Sequence, residues 1–215
     1  MKKVKRKFAV SAAGLGAFFV WTVLVRSVDV AAIGPRASSV GFSRLNQWFH
    51  HFTRVHFGLY TVTDWLGLVP VFVGFAFAVF GLIQWIRRRK IWKVDFSILV
   101  LGGFYLLTLS AYLLFEEVVI NYRPVLIDDF LEASYPSSTT LLVLCVMPTA
   151  ALQLKGRIQN PVLRKTVVFL IAAFSVLMVA GRLLSGVHWL TDIVGGVLLS
   201  VGLVALYDGV CSFKE

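Results

Sequence analysis

His188 and Asp192 stand four residues apart in "GRLLSGVHWLTDIVGG", with Arg182 six residues before the histidine. That spacing puts the imidazole and the carboxylate on one face of a helix. A carboxylate bonded to one ring nitrogen fixes the tautomer and raises the basicity of the other, which makes a nucleophile or a general base. Two further polar groups interrupt the apolar runs. "EEVVINYRPV" brings Arg123 and Pro124 after Glu116 and Glu117, and "EASYPSSTTLL" brings Pro136, Ser137, Ser138 and Thr139 to the start of an apolar segment. Pro136 suits the first turn of a helix, where its missing N–H costs nothing, and Ser134 is placed to cap that helix. Ser137, Ser138 and Thr139 then bring hydroxyls and free backbone N–H groups to a helix N-terminus. By geometry and dipole that is an anion site, although a plain N-cap cluster has the same composition. Arg123 taken alone either holds an anion or snorkels. Together, two guanidiniums and a helix N-terminus suit a phosphate, and a histidine beside them suits attack on phosphorus.

The elements that must position these residues are spans of a membrane. Hydrophobic residues make up 58% of the 215 and charged residues only 15%, too apolar for an ordinary soluble domain. The net charge of +10 does not indicate nucleic acid, because Lys and Arg fall in short clusters between apolar runs, as in membrane loops. Six segments have the roughly twenty mostly apolar residues that a span needs: Phe8–Val28, Leu59–Ile86, Phe96–Ile120, Ser138–Leu154, Thr166–Leu184 and Trp189–Tyr207. The fourth is short and carries Pro148, which neighbouring helices can accommodate. Continuous rather than alternating runs exclude a β-barrel. The expectation is one all-α integral membrane domain over residues 1–215.

One set of loops carries fifteen cations: Lys2, Lys3, Lys5, Arg6 and Lys7, then Arg87 to Lys93, then Lys155 to Lys165, then Lys214. The other set carries six: Arg26, Arg36, Arg44, Arg54, Arg123 and Arg182. That bias predicts both termini on the cytoplasmic side, with residues 29–58, 121–137 and 185–188 facing outward. "MKKVKRK" reads as the cytoplasmic flank of a retained helix, since no cleavage site follows. In the first outward loop Leu45, Trp48, Phe49, Phe52 and Val55 recur at helical spacing. An amphipathic helix in the interface is expected there, an anchor in preference to a lid or lipid entrance. His50, His51 and His56 have no carboxylate or cysteine to complete a metal set and are assigned to its solvated face. Cys145 and Cys211 give neither a disulfide framework nor a metal spacing. Gly195 and Gly196 suit close helix packing.

The three polar groups, in this order, resemble the type 2 phosphatidic acid phosphatase (PAP2) superfamily of membrane phosphatases. That family carries Lys-x6-Arg-Pro, then Pro-Ser-Gly-His, then Ser-Arg-x5-His-x3-Asp. Arg182, His188 and Asp192 keep the spacing of the third motif, with Gly181 in place of its serine. Arg123-Pro124 matches the end of the first and Pro136-Ser137 the start of the second. The resemblance covers most of the chain and implies a six-transmembrane bundle of PAP2 type with no metal and no cofactor. It implies His188 as the nucleophile that takes a phosphoryl group and Asp192 as its orienting carboxylate. Arg123, Arg182, Ser137, Ser138 and Thr139 are the implied phosphate-binding residues. Two positions depart from the pattern. Glu116 stands where the family has lysine, and Ser138-Thr139 stand where it has Gly-His, the histidine that gives a proton to the leaving oxygen. Threonine is too weak an acid for that task. General acid catalysis is worth about 10²–10⁴-fold and matters least when the leaving group is itself a phosphate. A lipid diphosphate, a polyprenyl (undecaprenyl) diphosphate foremost, is therefore the favoured substrate, with a lipid monophosphate next. Asp128, Asp129 or Glu132 could replace the lost acid. The implied setting is the cell membrane, with membrane lipids as partners, no nucleic acid and no assigned oligomeric state. A protein that only binds or moves a lipid phosphate, or a phosphotransferase, is the alternative.

Overall fold

The computed structural model describes residues 2–213; Lys214, counted above among the cytoplasmic cations, lies outside them. The chain runs α1 (Lys2–Ser27), α2 (Ser43–Thr53), α3 (Phe57–Leu66), α4 (Leu68–Arg88), α5 (Phe96–Glu117), α6 (Ser138–Lys155), α7 (Pro161–Leu184) and α8 (Leu190–Phe213). Among the described residues, pairing of the β type is confined to isolated bridges. Six helical stretches are long and apolar enough to cross a membrane. A helix closes its backbone bonds within the segment, as hydrocarbon requires; Pro148 interrupts that ladder inside α6.

The spans differ in where they lie. About half of α6 and α8 is buried inside the protein (56% and 50%), against 11–22% for the other four. The centre of the bundle is therefore α6 and α8, and the rest present Leu, Val and Phe to lipid. Small residues make the central contacts. A Cβ on Gly14 of α1 would stand 2.8 Å from the Gly202 Cα of α8, and one on Gly195 would stand 2.6 Å from the Tyr135 ring. Close backbone approach of this kind drives helix association where water is absent. The packing role expected for Gly195 is thus seen directly.

Several boundaries differ from the sequence expectation. The second span runs Phe57–Arg88, 32 residues, and breaks at Gly67, whose N–H donates to the carbonyls of Thr63 and Asp64. At 1.5 Å per residue a straight helix of that length would exceed the roughly 30 Å hydrocarbon layer. The third span ends at Glu117 rather than Ile120. Pro136 precedes α6 instead of filling its first turn. Ser137 is the N-cap residue, and Ser134 donates its hydroxyl to the Asn121 carbonyl rather than capping the helix. The start of α7 follows the expected chemistry: Pro161 is the first helical residue, and the Asn160 side chain accepts from the N–H groups of Val162 and Leu163.

The amphipathic helix is α2. Leu45, Trp48 and Phe52 are exposed, while Ser43, Asn46 and Thr53 are buried. A narrow edge of small polar residues thus docks on the protein, while the aromatic face and the side carrying Arg44, Gln47 and His51 stay exposed, as an interfacial anchor requires. Asn46 makes that docking specific: its amide donates to the Gly41 carbonyl and the Thr191 hydroxyl and accepts from the Thr191 N–H. His50 departs from the solvated role expected of it. It is half-buried, with its ring 5.5 Å from the Trp189 indole, and burial lowers its pKa.

One end of the bundle is tied by charge. Lys7 pairs with Asp208 at 2.9 Å, and Asp95 receives Arg88 at 2.8 Å and Arg157 at 3.5 Å. The polar motifs collect at the other end, where α5 and α7 finish and α6 and α8 begin.

Candidate active site

Two braces bring the motifs together. In the loop after α5, the Arg123 N–H donates to the Glu132 carbonyl at 3.0 Å and the Ser134 N–H to the Asn121 carbonyl at 2.9 Å. That narrow ladder turns the Arg123 side chain into the bundle mouth. In the turn after α7, the His56 N–H donates to the Ser185 carbonyl. Gly186 has φ of +69° and packs so closely that a Cβ would meet the Arg54 carbonyl oxygen at 1.9 Å, which only glycine permits. His188 leaves this turn just before α8, not on it. The Trp189 indole then donates to the Tyr122 carbonyl at 2.8 Å, joining the two braces.

At the mouth, His188 Nε2 lies 3.4 Å from Arg123 Nη1 and 3.5 Å from Arg182 Nη2. All three side chains are buried. Burial first, then the positive charges of Arg123 and Arg182, hold the His188 pKa well below the usual histidine range. The ring is therefore neutral, with a lone pair available at one nitrogen. The carboxylates of Glu132 and Asp64 lie against other nitrogens of the two guanidiniums, so the edges that face His188 keep positive potential for an anion between them. Arg182 Nε and the Ser137 hydroxyl are buried without a hydrogen-bond partner in the protein, which leaves both as donors for a further group.

Asp192 does not make the hydrogen bond its spacing predicts. Its Oδ2 is 3.8 Å from His188 Nδ1. The same oxygen accepts from the Trp189 N–H at 2.9 Å, and Oδ1 accepts from the Asn121 amide at 3.1 Å. The first of these is the reach-back half of a capping box, which explains why the carboxylate sits in the first turn of α8. Asp192 thus stands behind the ring, facing the nitrogen opposite the one that meets the arginines. A shift of less than 1 Å would close the bond, and catalytic bonds commonly tighten only in the complex.

The seven residues expected at the site do not all meet. Arg123, Arg182, His188 and Asp192 converge. Ser137 is buried at the α6 N-cap and packs beside Gly196, where a Cβ would lie 3.3 Å from the Ser137 carbonyl. Its N–H is taken by the Asp192 carbonyl at 3.1 Å, so its hydroxyl is the group left free. Ser138 lines a narrow recess with Tyr112, Glu116 and Ser134. Thr139 lies against the Gly67 turn between α3 and α4. Glu116 is exposed at the end of α5, turned to that recess.

Asp64, Tyr60 and Asn121 are site residues not anticipated from the sequence; Glu132, anticipated there as a replacement for the lost acid, is a fourth, and it lies against Arg123. Glu132 Oε2 sits 2.9 Å from Arg123 Nε, and Asp64 Oδ1 sits 3.5 Å from Arg182 Nη1. Tyr60 covers the arginines, with its ring centre 4.9 Å from Arg182 Cζ and 6.0 Å from Arg123 Cζ. Asn121 holds Asp192. A lone carboxylate inside an apolar span is costly and marks function by default; that rule, applied to "YTVTDWLGL", would have found Asp64. Among the described residues no group of three or more His, Cys, Asp or Glu side chains is arranged to hold a metal.

The state of His188 has a consequence for folding. The unfolded chain binds a proton at this residue below pH about 6.5 and the folded chain does not, so folding stability falls as pH drops through that value. The expected slope from this one group is at most about 1.4 kcal/mol per pH unit. Thermal unfolding in detergent between pH 7.5 and 5 should show a loss of stability that is smaller in His188→Gln.

The PAP2 superfamily model matches residues 110–208, the stretch that contains Arg123, Ser137, Arg182, His188 and Asp192. No curated protein matches the chain. Among solved structures, the chain is similar to the transmembrane PAP2 type phosphatidylglycerolphosphate phosphatase of Bacillus subtilis. The TM-score is 0.64 at 20% identity, over 96% of this chain and 98% of that one. The six-span bundle is therefore of PAP2 type, and the stretch that builds its polar mouth matches the PAP2 superfamily.

Proposed function

We propose that this protein is a membrane lipid phosphatase that transfers a phosphoryl group to His188 and then to water. The observation that carries the reading is the neutral, buried His188 with Nε2 at 3.4 and 3.5 Å from two guanidiniums. Phosphoryl transfer needs little covalent help from a protein; it needs placement and stabilisation of charge on the equatorial oxygens. Arg123 and Arg182 supply both, and the Ser137 hydroxyl adds a neutral donor. The lone pair on Nε2 attacks phosphorus while Asp192, behind the ring, stabilises the cationic imidazole that results. A lipid diphosphate, with a polyprenyl tail foremost, is the favoured substrate, because a phosphate leaving group requires little protonation. The fifteen-to-six cation bias supports a site on the extracytoplasmic face of the cell membrane with both termini in the cytoplasm.

The changes at Glu116 and Thr139 favour a second reading, in which the mouth binds a lipid phosphate without turnover. Phosphate release by purified protein in detergent, from a panel of lipid diphosphates and monophosphates, separates the two. The phosphatase reading expects release from both classes, faster from diphosphates, and dependent on His188. Tight binding of diphosphate with no release would establish the second reading instead.

A further inference from the structure

Resting on the phosphatase reading, we propose that Asp64 gives the proton to the leaving oxygen and later takes one from the attacking water. His188 Nε2 and Asp64 Oδ1 lie at 3.5 Å from the two adjacent terminal nitrogens of a single guanidinium, that of Arg182. A phosphate bound to those nitrogens has the imidazole on one flank and the carboxyl on the other. That is the placement that in-line displacement asks of a nucleophile and an acid. Glu132 is not so placed. It meets Arg123 at Nε, whereas His188 meets the same group at Nη1, and Nε–H points away from the edge that carries Nη1.

Three other features agree. Asp64 and Tyr60 are four apart on α3 and share a face, and Tyr60 covers the faces of both guanidiniums. The two residues line a cavity of about 370 Å³ with Thr61, Trp65 and Asp128, which gives a departing group somewhere to go. Thr139, where the resemblance expects a proton donor, packs on the Gly67 turn. A Cβ on Gly67 would lie 3.6 Å from the Thr139 side chain and 2.9 Å from the Asp64 carbonyl. The carboxyl thus arises on the turn of α3 that faces the position lacking its acid.

The proton balance closes. The phosphoryl group enters as its monoanion, and the proton it carries passes to the Asp64 carboxylate beside it. The Nε2–P bond forms, the P–O bond to the leaving group breaks, and the leaving oxygen takes the proton from Asp64. Water then attacks the phosphoryl group and gives a proton to Asp64. The P–N bond breaks, and the neutral imidazole and inorganic phosphate remain.

The test varies the leaving group. Asp64→Asn and Asp64→Glu are assayed in detergent on dodecyl phosphate, whose leaving group is an alkoxide, and on p-nitrophenyl phosphate, whose leaving group needs no proton. In the first turnover, before water attacks and the base role enters, Asp64→Asn is expected to lose about 10²-fold in release of dodecanol and no more than about threefold in the burst of p-nitrophenolate. Asp64→Glu, which keeps the acid, should recover part of the loss. An equal loss on both substrates would overturn the proposal and leave Asp64 as a support for Arg182. Unchanged rates on both would place the acid elsewhere. Each of those results leaves His188-dependent release intact. Absence of His188-dependent release from every substrate would instead remove the phosphatase reading and this proposal with it.

Discussion

His188→Ala is expected to lower phosphate release by about 10⁴–10⁶-fold, the range seen when a residue of a cooperating catalytic set is deleted. The size follows from what the residue does. Arginines and a hydroxyl position phosphate, but none of them has a lone pair that attacks phosphorus near neutral pH. Without the imidazole, hydrolysis has to begin with water at a site shaped for a ring nitrogen. The variant is expected to fold. The ring makes no hydrogen bond on which the braces depend, and the Trp189 and Asp192 contacts that organise the turn are independent of it. Its affinity for inorganic phosphate should be retained, because Arg123 and Arg182 remain. Loss of release with binding preserved separates a missing nucleophile from a damaged site.

Arg182→Lys is expected to be nearly as damaging as Arg182→Ala, each costing about 10²–10³-fold in kcat. The charge is conserved by lysine but the geometry is not. Arg182 is 1% exposed. One terminal nitrogen points at His188, the other at Asp64, and its face lies 4.9 Å from the centre of the Tyr60 ring. A planar fork satisfies three directions at once; an ammonium is a single point on a flexible stem. The fold should survive, since Asp64 is 58% exposed and can turn to water when its partner shortens. Steady-state kinetics with unfolding curves in the same detergent check both halves. Recovery by lysine to within about threefold would show that charge suffices and that the fork is not used.

Much of this architecture was legible in the residues. Runs of about twenty apolar residues mark spans because backbone groups in hydrocarbon have no other partners, and all six appear. Arg182, His188 and Asp192 were legible because polar groups at span ends are too costly to be incidental. Other features depend on packing that one sequence does not display. The hydrophobic run of the second span does not encode its break at Gly67, which is where Asp64 and Tyr60 acquire their direction. The pattern of α2 gave the helix but not which face docks; Asn46 decides that, through Thr191. Asn121 is one neutral residue in a loop, and its role at Asp192 exists only once α8 stands beside it. The hydroxyl cluster Ser137-Ser138-Thr139 read as one cradle. At the start of a helix successive residues point about 100° apart, so three neighbours face three surroundings: an orphaned buried site, the Glu116 recess and the Gly67 turn.

The central claim is a phosphoryl group on His188 Nε2, and trapping it is the most direct test. Purified protein would be mixed with a ³²P-labelled lipid diphosphate in detergent, quenched in alkali, digested and mapped. The expected result is an acid-labile, alkali-stable label on the peptide containing His188, absent from His188→Ala. Phosphate release that continues in His188→Ala, with no label at this residue in the unaltered protein, would contradict it.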